Sequence, residues 1–169
     1  YREAIRLDPE SANARNGLGL ALRRTGRHEE AEAAYREAIR LDPEHGPAHV
    51  NLGGLLRDVL GRYDEAIEAY EKVIAEDPKQ EKVYALLGGL YIEAEKLDQA
   101  ERVFRQMIEN FPGTYAGHFY LGKVYAKQGN LKAAEKEFKR TLEIEPELLE
   151  PRYELLDLYK DKNNTRETL

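Results

Sequence analysis

The sequence predicts an all-α protein, an α-solenoid in which antiparallel helix pairs stack one after another. Three observations carry this prediction. Prolines fall at Pro9, Pro43, Pro78, Pro112 and Pro146, spaced 34, 35, 34 and 34 residues apart. Small residues keep the same rhythm, with glycine at Gly19, Gly53, Gly88 and Gly122 and alanine at Ala31, Ala66, Ala100 and Ala134. An aromatic residue recurs at Tyr1, Tyr35, Tyr70, Phe104 and Phe138. A fixed period of about 20–50 residues is the mark of stacked supersecondary units. Glycine and alanine remove bulk where two helices cross. The aromatic, four residues after the alanine, shares its face and is expected to fill the gap toward the next unit. The proline cannot continue a helix and biases its predecessor away from one. Each unit therefore reads as helix, turn, helix, stop.

The elements follow in order. Residues 1–11 are a half repeat, the second helix of a unit whose first helix is missing, and Ala4 and Ile5 should present an incompletely covered apolar edge. Repeat 1 spans residues 12–45: Ser11 caps a helix over Ala12–Arg24, and Glu29 and Glu30 suit the dipole at the start of His28–Leu41. Repeat 2 spans residues 46–80. Pro47 fits the first turn of its opening helix, expected over Pro47–Leu60, which places His45 in the preceding loop. Gly19 to Gly26 is seven residues but Gly53 to Gly61 is eight, so one extra residue sits within Arg57–Leu60. A longer helix end is the expected way to absorb it, in preference to a π-bulge. Its second helix is Tyr63–Glu76. Repeat 3, residues 81–114, should hold helices Glu81–Ala94 and Leu97–Asn110. Repeat 4, residues 115–148, should hold Tyr115–Gln128, capped by Thr114, and Leu131–Glu145. A final unpaired helix covers 149–160, with Leu156 where each full unit has Gly, so the array is expected to end or change there. Residues 161–169 read as a polar, frayed tail.

These residues resemble the tetratricopeptide repeat family, whose pattern is Leu-Gly, then Tyr or Leu, a turn Gly, Ala, an aromatic, Ala and Pro. Repeat 1 shows it as Leu18-Gly19, Leu22, Gly26, Ala31, Tyr35, Ala38 and Pro43. Repeat 2 has Leu52-Gly53, Leu56, Gly61, Ala66, Tyr70 and Pro78, with Val73 for the later Ala. Repeat 3 has Leu87-Gly88, Tyr91, Ala100, Phe104 and Pro112, and repeat 4 has Leu121-Gly122, Tyr125, Gly129, Ala134, Phe138 and Pro146. The resemblance covers residues 1–160 and implies a right-handed superhelix of four full repeats with a half repeat at each end. The chain departs from the pattern at Arg15, His49, Tyr84 and His118, which replace an early Trp. Glu95 replaces the turn Gly, and Met107 and Thr141 replace the later Ala.

Composition narrows the functional classes. The 169 residues are 41% hydrophobic and 34% charged, which suits a helical array with a thin continuous core. With no cysteine, disulfide frameworks and cysteine-based metal or catalytic sites are excluded. No apolar run approaches the roughly 20 residues that span a bilayer, so no membrane partner is expected within this stretch of sequence. A net charge of −6 argues against nucleic-acid binding. His45 and His49 have the four-residue spacing of helical metal ligands, but Gly46-Pro47 intervenes and no metal site is expected. Ser11 has no base placed near it. The Gly53-Gly54 and Gly88-Gly89 pairs lie inside helices and not in a phosphate-cradling loop. The Glu-rich runs read as solvated faces with i,i+4 pairs. No enzymatic constellation and no cofactor are expected.

The resemblance implies that the first helix of each unit lines a concave groove. The lining positions are then Asn13, Asn16, Gly17, Leu20, Arg23 and Arg24 in repeat 1, and Val50, Asn51, Gly54 and Arg57 in repeat 2. They include Lys82, Ala85, Leu86, Gly89 and Ile92 in repeat 3 and Phe119, Tyr120, Lys123 and Lys127 in repeat 4, with Tyr153, Asp157 and Lys160 on the last helix. Gly17, Gly54 and Gly89 would leave part of the floor open. The aromatic and basic set of Phe119, Tyr120, Tyr153, Lys123 and Lys127 has the composition of a peptide anchor site; packing between helices is the competing account of its rings. The carboxylate clamp of the chaperone-binding branch, Lys-Asn-Asn-Lys-Arg, is matched only at Asn51 and Lys82; Asn16, Leu20 and Leu86 break it. A groove asparagine ladder fails at Gly17, Leu86, Tyr120 and Glu154. The expected function is a protein-interaction scaffold taking a protein or peptide partner. The rival readings are a non-catalytic docking arm of a larger enzyme and a module that self-associates end to end.

Overall fold

The computed structural model describes the backbone of residues 2–167. Residues 1, 168 and 169, and the side chains of residues 2, 4 and 161–167, lie outside the described residues, and with them the expectations for Tyr1, for the Ala4 edge and for the side chains of the tail. The described residues form ten α-helices and no strand: α1 Arg2–Leu7, α2 Ala12–Arg24, α3 His28–Leu41, α4 Gly46–Asp58, α5 Tyr63–Glu76, α6 Glu81–Glu93, α7 Leu97–Asn110, α8 Tyr115–Lys127, α9 Leu131–Ile144 and α10 Glu150–Glu167. They divide into two compact units, Tyr1–Val83 and Tyr84–Leu169. The last helix passes the boundary expected at Lys160.

Each full repeat is an antiparallel pair locked by one recurring contact. In unit 1, the ring of Tyr35 lies so close to Gly19 that a Cβ there would fall 2.5 Å from Cε1, and Tyr70 meets Gly53 at 2.7 Å. In unit 2, Phe104 meets Gly88 at 2.2 Å and Phe138 meets Gly122 at 2.6 Å. The aromatic therefore lies against its own repeat's glycine, a contact the sequence reading assigned to the next unit. These four rings and the four alanines of the second helices are buried, and they form the spine of the core.

The ends of the helices explain the remaining periodicity. The first helices close with a backbone bond from Arg27 to Leu22, Lys96 to Tyr91 and Asn130 to Tyr125, at 2.8–3.0 Å, with a left-handed residue in between. Gly26, Gly61 and Gly129 occupy that left-handed place at φ 75°, 64° and 76°, and Glu95 occupies it at φ 57°. An L-residue there costs about 1–2 kcal/mol, part of which glycine's larger unfolded-state entropy would offset. Glu95→Gly is therefore expected to stabilise the fold by about 0.5–1 kcal/mol in urea titration. After the second helices, Asp8, Asp42 and Asp77 accept a hydrogen bond from the backbone two residues on, at 3.0–3.2 Å, folding the Asp-Pro turn.

One expectation of repeat 2 is corrected and another is extended. The extra residue of repeat 2 does not lengthen its helix: α4 has 13 residues, as α2 does. It widens the turn instead, where Leu60 N–H donates to Leu55 C=O at 3.3 Å and Arg62 N–H reaches Leu56 C=O at 2.9 Å. His45 precedes the helix, as expected, but its side chain has a structural role there. It is buried as the N-cap of α4, its Nδ1 accepting from Ala48 N–H at 3.2 Å, the service Ser11 and Thr114 give to α2 and α8.

Candidate functional site

The first helices carry the expected lining positions, and each unit presents its own set. In unit 1, the His45 ring that caps α4 turns its other nitrogen to Asn13. Since Nδ1 accepts from the backbone, Nε2 holds the proton and donates to Asn13 Oδ1 at 2.9 Å. Asn16 is buried and accepts from Asn51 Nδ2 at 2.9 Å. Arg23 crosses to Asp58 at 3.0 Å. Its guanidinium covers Gly54, whose added Cβ would lie 3.3 Å from it, so this part of the floor is not bare as expected. Gly17 is buried, while Gly89 in unit 2 faces open space. Asn13, Asn16 and Asn51 therefore join α2 and α4 to their neighbouring repeat. Leu20, Arg24 and Lys82 are exposed.

Unit 2 presents the aromatic set. Tyr120 stacks on the buried ring of Phe104, centroids 5.3 Å apart and planes at 16°. Phe119 leans on Phe138 at 6.0 Å and on Tyr120 at 5.4 Å. Both rings stay half-buried. Lys123 Nζ stands 5.6 Å from the Phe119 centroid and 3.8 Å from Glu154. Phe119 and Tyr120 border a cavity of about 210 Å³ whose other walls are Tyr115, Ala116, Leu148, Glu150 and Pro151. Tyr153, 61% exposed, is not among the lining residues, and Lys127 is exposed. Tyr115, Leu148 and Pro151 were missed from sequence because they sit at helix starts or, for Leu148, in the loop before one, ahead of the positions the family pattern assigns to the groove.

Three of the four residues at the missing Trp's place, His49, Tyr84 and His118, bind the scaffold. His49 Nε2 donates to Pro43 C=O at 2.9 Å, Tyr84 accepts from Asn110 at 2.8 Å, and His118 Nδ1 meets Glu137 at 2.7 Å. Each of the His45 and His49 rings is thus engaged by protein groups. Among the described residues no group of three or more His, Asp or Glu is placed to hold a metal ion, and no helix is long and apolar enough to cross a membrane.

Two charge networks brace the outer helices. In unit 1, Glu32, Arg36, Glu65 and Arg62 close a ring of ion pairs at 2.6–2.9 Å between α3 and α5, more than the solvated i,i+4 pairs expected. Arg62 and Arg36 hold the Glu65 carboxyl below its ordinary range. In unit 2, burial pushes the Glu101 carboxyl up, but hydrogen bonds from Arg105, Gln128 and Tyr125 outweigh it and hold it below the usual range. A depressed folded-state carboxyl contributes stability that is present above the unfolded value, about 4.3, and lost as pH falls through the folded one. Glu101→Gln should therefore cost up to about 1 kcal/mol at pH 7, and the gap to the parent should close below about pH 4 in thermal melts.

Family models described as tetratricopeptide repeat match residues 60–118, residues 1–46 and 31–81, and residues 115–148. No curated protein matches the chain. Among solved structures, the chain is similar to MamA, with 25% identity, a TM-score of 0.77, and 86% of this chain and 85% of that one covered. It is similar to YrrB, a TPR protein with an unusual peptide-binding site, at 23% identity and TM-score 0.77, covering 96% and 84%. A tetratricopeptide repeat protein from Parabacteroides merdae gives 22% identity and TM-score 0.80, covering 98% and 66%. The glycine–aromatic lock of every full repeat, the left-handed turn and the matched models lead to one conclusion: the chain belongs to the tetratricopeptide repeat family.

Proposed function

We propose that this protein is an interaction scaffold whose first-helix faces hold a peptide segment of a partner protein. The observation that carries this reading is in unit 2. Phe119 and Tyr120 keep their rings half-buried at the mouth of a cavity of about 210 Å³, with Lys123 over one ring and the largely exposed Tyr153 on the next first helix. Aromatic residues that are already fixed by packing lose little freedom on binding, which is why such residues dominate peptide recognition. Lys123 and Lys127 supply charge at the edge, and a mobile charge at a rim governs orientation and encounter more than affinity.

The test is selection of linear peptides from a random phage-displayed library on the whole chain, followed by fluorescence anisotropy of the selected peptides. The double variant Phe119→Ala, Tyr153→Ala should weaken binding by at least about 30-fold while circular dichroism shows the helices intact. Unchanged affinity in that variant would remove the groove reading.

A further inference from the structure

The cavity beside Phe119 and Tyr120 has a counterpart in unit 1. Pro47, Val50 and Asn51 of α4 occupy the repeat places that Ala116, Phe119 and Tyr120 occupy in α8, and they border a cavity of about 410 Å³. The place is the same and the chemistry differs. Buried Val73 and half-buried Val50 make an aliphatic floor, with Gly46 against Val73 at 3.9 Å from its would-be Cβ. Glu44, Glu76 and Asp77 stand around it, and no lysine or arginine lines it. Lys72 pairs with Glu76 at 2.7 Å and leaves the lining with an excess of negative charge.

We propose that this cavity receives a lysine or arginine side chain of the bound peptide. The inference rests on the groove reading above and assigns one contact within it. The two halves of the cavity each need a different part of that side chain. A methylene stem covers the valine floor, and the cationic head reaches the carboxylates at the edge. A metal ion has no use for the aliphatic floor, and Asp77 already accepts from Lys79 N–H and Gln80 Nε2 at 3.0 and 2.6 Å. A neutral apolar side chain would cover the valine floor but leave the excess negative charge of Glu44, Glu76 and Asp77 uncompensated as the cavity loses water. Asn51, also in the lining, donates its side-chain amide to Asn16 Oδ1, so this wall is held in place before a ligand arrives. The net charge of −6 adds long-range attraction for a basic segment.

The same random-peptide selection on the whole chain tests this. The selected peptides should share a lysine or arginine at a fixed place. Replacing that residue by methionine, or changing the protein to Glu44→Gln with Glu76→Gln, should each weaken binding about tenfold, and the two losses should not add. The loss should shrink as salt is raised. Selected peptides with no fixed basic residue, or equal affinity for parent and doubly substituted protein, would overturn the cavity assignment alone, provided the Phe119→Ala, Tyr153→Ala variant still loses binding. Failure to select any peptide would overturn both readings.

Discussion

Gly88→Ala should destabilise the protein by about 2–3 kcal/mol in urea titration, while Gly89→Ala, one residue on, should stabilise it by about 0.5–1 kcal/mol. The two glycines share one helix and nearly one backbone geometry, so the gain from replacing a helical glycine by alanine is the same for both. Their surroundings differ. A Cβ at Gly88 would lie 2.2 Å from Cζ of Phe104 and within 2.7 Å of two more ring carbons, while a Cβ at Gly89 would meet nothing within 4 Å. Phe104 is fully buried and rigid, and behind it Tyr120 is stacked, so the ring cannot swing aside. Either the ring shifts into its neighbours or the two helices part. The opposite signs isolate the steric contact from helix propensity, and equal effects at the two sites would refute the lock. Unfolding in a repeat array need not be one step, so amide exchange in α6 and α7 should show where the cost falls.

That contrast also shows what could be read from sequence. In Gly53-Gly54 and Gly88-Gly89 nothing local says which glycine faces the partner helix. The period does, because only Gly53 and Gly88 fall in step with Gly19 and Gly122. Helix boundaries were legible for the same reason: α2, α3, α5 and α7 have the expected limits, each set by a cap, a left-handed turn or a proline. What the period could not reveal were contacts made by side chains that depart from it. His45 caps α4 in a place where Ser or Thr serves other repeats, and a histidine carries no such signal. Arg23 reaches across a repeat to cover Gly54, a matter of a long side chain's rotamer. The candidate site was legible in part. The pattern picked out Phe119 and Tyr120, but the walls supplied by Tyr115, Leu148 and Pro151 come from helix starts and a connecting loop that meet only once the repeats stack.

Phe104→Ala should cost about 3–5 kcal/mol, the usual range for emptying a fully buried aromatic site. The size follows from the two surfaces the ring serves and from its complete burial. One face lies on the bare backbone at Gly88, and another carries the Tyr120 ring at 5.3 Å. The residue itself is 0% exposed. Adding Gly88→Ala to this variant should cost nothing further, since the new methyl enters the space the ring has left. The coupling between the two sites would then be about 2 kcal/mol or more, the mark of direct contact in a double-mutant cycle. The substitution has a functional consequence as well. Tyr120 is held at the mouth of its cavity by the stack on Phe104, and without the stack its ring is free to change rotamer. Phe104→Leu, which keeps an apolar filler but no flat face, should therefore retain most of the stability and still weaken peptide binding several-fold, although residue 104 touches no ligand. If Phe104→Leu binds selected peptides as the parent does, Tyr120 is not positioned by this stack, and its role in recognition would have to come from the cavity walls alone.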